Sequence, residues 1–104
     1  MQDADNFKTN IEAFVSLIPE GCVTTYGDLA SLAGHAYAAR AVGGIAHYGD
    51  PLLPWHRVVN RFGGLASGFP GGKELHEKIL ESEGIHCTDF IVDNFKDIRW
   101  QPKI

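Results

Sequence analysis

The 104-residue sequence predicts one small, mainly α-helical domain with short extended segments and a helix-turn-helix at its centre. Three features carry this reading. Apolar residues near the N-terminus recur at helical spacing. Two short helical segments follow, parted by a break at Gly34. A stretch dense in glycine and proline then separates them from a last amphipathic helix.

The first helix is expected over residues 7–18, capped by Asn6. Phe7, Ile11, Phe14, Val15 and Ile18 fall on one stripe, and Pro19 and Gly21 end it. Residues 22–25 read as a short extended piece. Thr24 or Thr25 can cap a second helix over about residues 26–33, with Asp28 near its positive end and Leu29, Leu32 and Ala33 inward. Gly34 breaks that helix. After the four residues 34–37, a third helix is expected over 38–46, built from Ala, Arg and Val and loosened by Gly43 and Gly44. Two short helices joined in this way fit a helix-turn-helix. The small residues of the third helix suit close approach to another surface, either the core or a DNA groove.

Pro51 and Pro54 keep residues 49–54 irregular. WHRVV (55–59) reads as a short strand or turn. Five glycines and Pro70 make 63–72 a shaped loop. The last helix spans about 72–82, with Leu75, Ile79 and Leu80 inward, and Gly84 ends it. Residues 85–100 alternate loosely and read as a short hairpin or an irregular tail.

A chain of this length supports one core. No segment approaches the roughly 18 consecutive apolar residues of a membrane span. The N-terminal MQDADNF has neither a basic flank nor an apolar run, so no secretory signal is expected and a reducing, cytoplasmic setting is the default. Cys22 and Cys87 lie far apart and match no metal spacing, so each is read as a buried thiol. The five histidines are scattered, and no metal or cofactor is expected. The formal net charge of −4 argues mildly against nucleic acid. Its distribution softens the objection: residues 34–78 carry five basic side chains against three acidic ones, between acidic ends.

Four segments together carry a resemblance: IPEGCVTTYGDLASLAG (18–34), ARAVGG (39–44), PWHRVV (54–59) with its glycine-rich loop, and EG (83–84). They resemble the DNA-binding domain of O6-alkylguanine-DNA alkyltransferases, in order and at compatible spacing, over about residues 7–85. The rest, 86–104, is read as a C-terminal tail of the same single domain, 1–104. The resemblance implies a winged helix-turn-helix-like fold as in the alkyltransferase C-terminal domain. In that family the third segment reads Pro-Cys-His-Arg-Val, and its cysteine accepts the alkyl group. Here Trp55 stands in that slot. An indole N–H is a donor only and cannot replace a thiolate. Tryptophan at this position marks the alkyltransferase-like proteins, and His56 and Glu83 align with the residues that activate the thiol in the enzymes.

The resemblance therefore implies a protein that is not an enzyme: a monomeric sensor that flips O6-alkylguanine out of double-stranded DNA and flags it for nucleotide excision repair proteins. Arg40 would enter the duplex where the damaged nucleotide leaves, since a guanidinium can fill the gap while bonding to the orphaned base. Ala39, Ala41 and Gly43 would let the third helix sit in the minor groove. Tyr26 would crowd the target phosphate and help rotate the nucleotide. Arg57, Arg61 and Lys73 would meet the backbone, although Arg57 can instead lock the turn by pairing with a carboxylate. The lesion pocket would comprise Tyr26, Trp55, Val58, Val59, Ser67 and Gly68. The enzymes' loop often carries Asn-Tyr-Ser or similar, whereas this one reads Leu65-Ala66-Ser67-Gly68-Phe69-Pro70. Two other readings stay open: a divergent alkyl-accepting repair enzyme, and a protein-interaction module on a degenerate repair fold.

Overall fold

The computed structural model describes residues 2–102. Helix α1 runs Gln2–Ser16, strand β1 Thr24–Thr25, helix α2 Tyr26–Leu32 and helix α3 Ala39–His47. A 3₁₀ turn, Trp55–Arg57, leads into strand β2, Val58–Val59. Helix α4 spans Gly72–Ser82. A hairpin of β3 (Cys87–Thr88) and β4 (Ile91–Val92) follows, then a short helix α5 (Phe95–Ile98). The domain is mainly helical with small sheets, as the sequence predicts.

Helix α1 buries the expected stripe, with Ile11, Val15 and Ile18 all but inaccessible. Its start differs from expectation. Asn6 lies inside the helix rather than capping it, because the helix already begins at Gln2. The helix also ends at Ser16, and Ile18 closes a tighter turn through its N–H to the Val15 carbonyl.

Helix α2 begins as predicted. Thr25 accepts from the Asp28 N–H, and the Asp28 carboxylate accepts from the Thr25 N–H, a reciprocal capping box. It ends at a left-handed Gly34, whose N–H bonds the Ser31 carbonyl while His35 N–H bonds Ala30. Helix α4 ends on the same motif at Gly84, with Ile85 N–H on the Leu80 carbonyl. A left-handed backbone there accounts for the glycines at both positions. On α2 the fully buried residues are Leu29 and Ala30, while Leu32 and Ala33 are half-buried.

The two-residue strands β1 and β2 pair in parallel, Thr24 with Val58 and Thr25 with Val59. Because parallel strands need a crossover, α2 and α3 form one, and they pack on each other and on α1. Strand alternation sends Val58 and Val59 to opposite sides. Val58 joins a cluster with Ile11, Val15, Leu29 and Val42. Val59 joins a second with Val23, Leu65, Leu80, Ile85 and Val92.

The C-terminal segment is built into the domain. Val23 pairs with Arg99, the Trp100 N–H bonds the Val23 carbonyl, and the Thr24 hydroxyl donates to the Trp100 carbonyl. Arg99 grips both oxygens of Asp28, at 2.8 and 2.9 Å. Burial alone would raise the Asp28 carboxyl, but its bonds from Arg99, Gln101 and Thr25 outweigh that and hold it below its ordinary value. Among the described residues, no helix is long and apolar enough to cross a membrane.

A cleft beneath Trp55 and its supporting ion pairs

A cleft of about 700 Å3 opens between α3, the 49–55 turn, the 63–72 loop and the first turns of α4. Tyr26, Trp55, Ser67 and Gly68 line it, as expected of a pocket, and so do Gly43, His56 and Lys73. Tyr26 opens α2, and burial raises its phenol above the ordinary value, so it faces the cleft as a neutral hydroxyl.

Trp55 is half-buried, packing one side on the first core cluster and lining the cleft with the rest. Its Nε1–H donates to the Asp50 carbonyl at 3.0 Å. That bond satisfies the only polar atom of the indole. The ring lies flush against the backbone at Gly49, where an added Cβ would stand 2.5 Å from Nε1. Neither Gly49 nor Asp50 is foreseen from sequence, since their contact with Trp55 crosses an irregular turn. Pro51 and Pro54 signal the turn but not its path.

Behind the indole stand His56, Arg57 and Glu83. His56 Nε2 lies 2.7 Å from a Glu83 oxygen, and Arg57 donates to the same carboxylate twice, at 3.0 and 2.8 Å. A third Arg57 donor reaches the Ile18 carbonyl at 2.9 Å. Burial acts to raise Glu83, but the bonds from Arg57 and then His56 prevail, keeping its carboxyl below 4.5 and charged. Of the two roles open for Arg57, the geometry favours the carboxylate lock over a backbone contact: its guanidinium is spent inside the protein.

Val58 and Val59 correct the expected pocket. Both are fully buried in the two cores and do not line the cleft, because their side chains leave β2 on faces that are both covered. Leu75 corrects the expected core. It is 42% exposed and lines the cleft, while His76 takes the inward position at 0% exposure. Ala66 N–H donates to His76 Nδ1, which leaves Nε2 protonated to donate to the His56 carbonyl at 2.7 Å. Burial lowers His76 below 6.5, and Phe69 stacks on it with ring centres 4.4 Å apart. One neutral imidazole thereby joins α4, the loop and the segment that carries Trp55.

Helix α3 presents Arg40 and Ala41 outward, beside Gly44. A Cβ built at Gly43 or Gly44 would meet nothing within 4 Å, so this surface is smooth and open. Ala39 is half-buried. Arg40 is exposed and makes no ion pair with the described side chains. Arg61 is also exposed, lying 4.7 Å over the Phe62 ring in the Asn60–Gly64 turn and outside the cleft. Asn60, not foreseen as a site residue, shapes that turn by accepting from the Phe62 and Gly64 amides. Cys22 and Cys87 are half-buried rather than buried, and neither lines the cleft. Burial, aided by Glu77, Asp93 and Glu81, pushes the Cys87 thiol up to about 11, far from a reactive thiolate.

This architecture is shared with proteins that handle DNA. The family described as "6-O-methylguanine DNA methyltransferase, DNA binding domain" matches residues 6–85. A relative named "DNA base-flipping protein" from Escherichia coli is 39% identical over 102 residues, covering 96% of this chain and 78% of the relative. "Alkyltransferase-like protein 1" of Schizosaccharomyces pombe is 31% identical, covering 94% of this chain and 97% of the relative. The crystal structure of S. pombe Atl1 in complex with damaged DNA containing O6-carboxymethylguanine superposes with a TM-score of 0.81 at 33% identity, covering 94% of this chain and 97% of that one. Against a methylated-DNA–protein-cysteine methyltransferase from Methanothermobacter thermautotrophicus, identity is 40% over 72 residues, but only 40% of that protein's length is covered.

Proposed function

This chain belongs to the family of the 6-O-methylguanine DNA methyltransferase DNA-binding domain, and on that footing we propose that it grips O6-alkylguanine in duplex DNA without removing the alkyl group. Helix α3 enters the minor groove through its small-residue face. Arg40 fills the space left by the extruded nucleotide, and Tyr26 steers the phosphate. The base comes to rest in the cleft under Trp55. Extrusion costs a few kcal/mol, and a lesion that has lost its guanine N1 proton is already poorly paired, so the cost is smaller there.

The observation that carries this reading is the environment of Trp55. It lines the cleft, and its single polar atom is committed to the Asp50 carbonyl. No cysteine lines the cleft. A flat apolar ring in this place can stack on a base or an alkyl group, worth roughly 1–3 kcal/mol, and offers nothing to accept a carbon. Trp55 stands where the family's enzymes carry the acceptor cysteine. His56, Arg57 and Glu83 persist as a strut beneath the turn.

A protein that holds damage without repairing it needs a successor. The bound, extruded lesion is handed to nucleotide excision repair proteins by this chain acting as a monomer. The reading is tested by titrating paired duplexes that differ only in O6-methylguanine against guanine. Tighter binding of the lesion, lost on Trp55→Ala, supports it. Equal affinity of the parent protein for both duplexes refutes it.

A further inference from the structure

The chain is acidic overall, with 13 carboxylate residues against nine Lys and Arg. The cleft departs from that balance. Among the described residues, no Asp or Glu lines it, whereas Lys73, His47 and His56 do. His56 is already engaged by Glu83. Lys73 and His47 are therefore the basic side chains left to face an occupant.

His47 closes α3, where the helix dipole favours a positive charge. Its ring is exposed and held edge-on by Tyr48, with centres 4.6 Å apart. Across the cleft mouth, a Cβ at Gly68 would stand 3.9 Å from His47 Nδ1. The 63–72 loop thus presents bare backbone and the Ser67 hydroxyl to this imidazole, with no carboxylate. From α2 the cleft receives the neutral Tyr26, and from α4 it receives Lys73. The Lys73 ammonium lies 5.9 Å from the centre of the Phe90 ring. The nearest acid in sequence, Asp50, is turned to the Leu52 amide and does not line the cleft.

Resting on the proposed lesion binding, we infer that the cleft selects O6 substituents bearing a negative charge over neutral ones of the same shape, with Lys73 as the charge that meets them and His47 as a second basic side chain lining the cleft. Two charges about 5 Å apart in a largely hydrated setting attract by enough for about a fourfold preference. A carboxylate on the lesion is ionised at neutral pH. The DNA phosphates are common to both ligands and cancel in the comparison.

The probes are matched duplexes carrying O6-carboxymethylguanine, O6-carbamoylmethylguanine (its uncharged isostere) or guanine, titrated at about pH 7 and constant ionic strength. The expected preference for carboxymethyl over carbamoylmethyl is about fourfold. Lys73→Met should lower the ratio. A ratio of one overturns the inference, and a ratio unchanged in Lys73→Met overturns the assignment to Lys73. If both adducts outbind guanine equally, charge selection fails while lesion binding stands. If neither outbinds guanine, the lesion-binding proposal itself falls.

Discussion

The Trp55 indole lies against the backbone of Gly49 so closely that a single methyl group there would stand 2.5 Å from its nitrogen. The same turn supplies the Asp50 carbonyl that receives the indole N–H. The ring is thus fixed by a wall on one side and a hydrogen bond at its edge, and only its remaining surface is open to an occupant of the cleft.

Gly49→Ala should therefore displace the indole or the 49–55 turn. The expected cost is about 1–3 kcal/mol of stability, as for other overpacked sites, with loss of discrimination between alkylated and normal guanine. Thermal unfolding and paired-duplex titration measure the two effects. An unchanged melting temperature and unchanged discrimination would show that the indole is not held as described.

Glu83→Gln removes the charge that pairs with Arg57 and His56, leaving a half-buried guanidinium with only the exposed Glu20 carboxylate, 4.0 Å away. The expected loss is about 2 kcal/mol at pH 7. The parent carboxyl sits below 4.5 when folded. Its stabilisation is therefore complete above pH 4.5 and disappears as the pH falls through the folded value. The gap in melting temperature between parent and variant should be widest at neutral pH and narrow as acid protonates the parent carboxylate. A gap that does not narrow on acidification would contradict the ion pair.

His76 has the opposite chemistry and the same direction with pH. Its folded value lies below 6.5 because burial penalises the charged imidazole. As the pH falls from 6.5, the unfolded chain takes up a proton that the folded one refuses, so stability declines. His76→Gln should lower stability at pH 7 and flatten the slope between pH 6.5 and 5, measured by urea unfolding at each pH. An undiminished slope would place that acid sensitivity on another group.

Legibility in the sequence followed locality. Helix α2 was readable because its cap, Thr25 with Asp28, and its stop at Gly34 act within a few residues. On the inward face of α4 the structure departs from the sequence pattern. Periodicity favours Leu75 over a histidine, yet His76 has buried partners at Ala66 and His56 that no window on α4 contains. The resemblance implies that Val58 and Val59 line the pocket, but strand geometry sends them into the two cores. Arg57 had two open roles, and Glu83, 26 residues away, decides between them geometrically. The bond from Trp55 to Asp50 depends on the path of a two-proline turn and left little trace in the sequence.

Arg40 stands exposed on the smooth face of α3 and supports none of the core. Arg40→Ala should leave the melting temperature within the small range typical of surface substitutions, about 0.5 kcal/mol. Affinity for lesion duplex should fall by about 2 kcal/mol, roughly thirtyfold in Kd. Unchanged affinity would remove Arg40 from the DNA-binding face.

The central claim is a grip without chemistry, and one measurement meets it head-on. The protein is held with a stoichiometric amount of duplex containing O6-methylguanine, at concentrations where the complex is formed, and the intact masses of protein and DNA strand are read over hours. The account predicts that both masses stay unchanged while the complex persists. A protein heavier by one methyl group, or a strand returned to guanine, would contradict it.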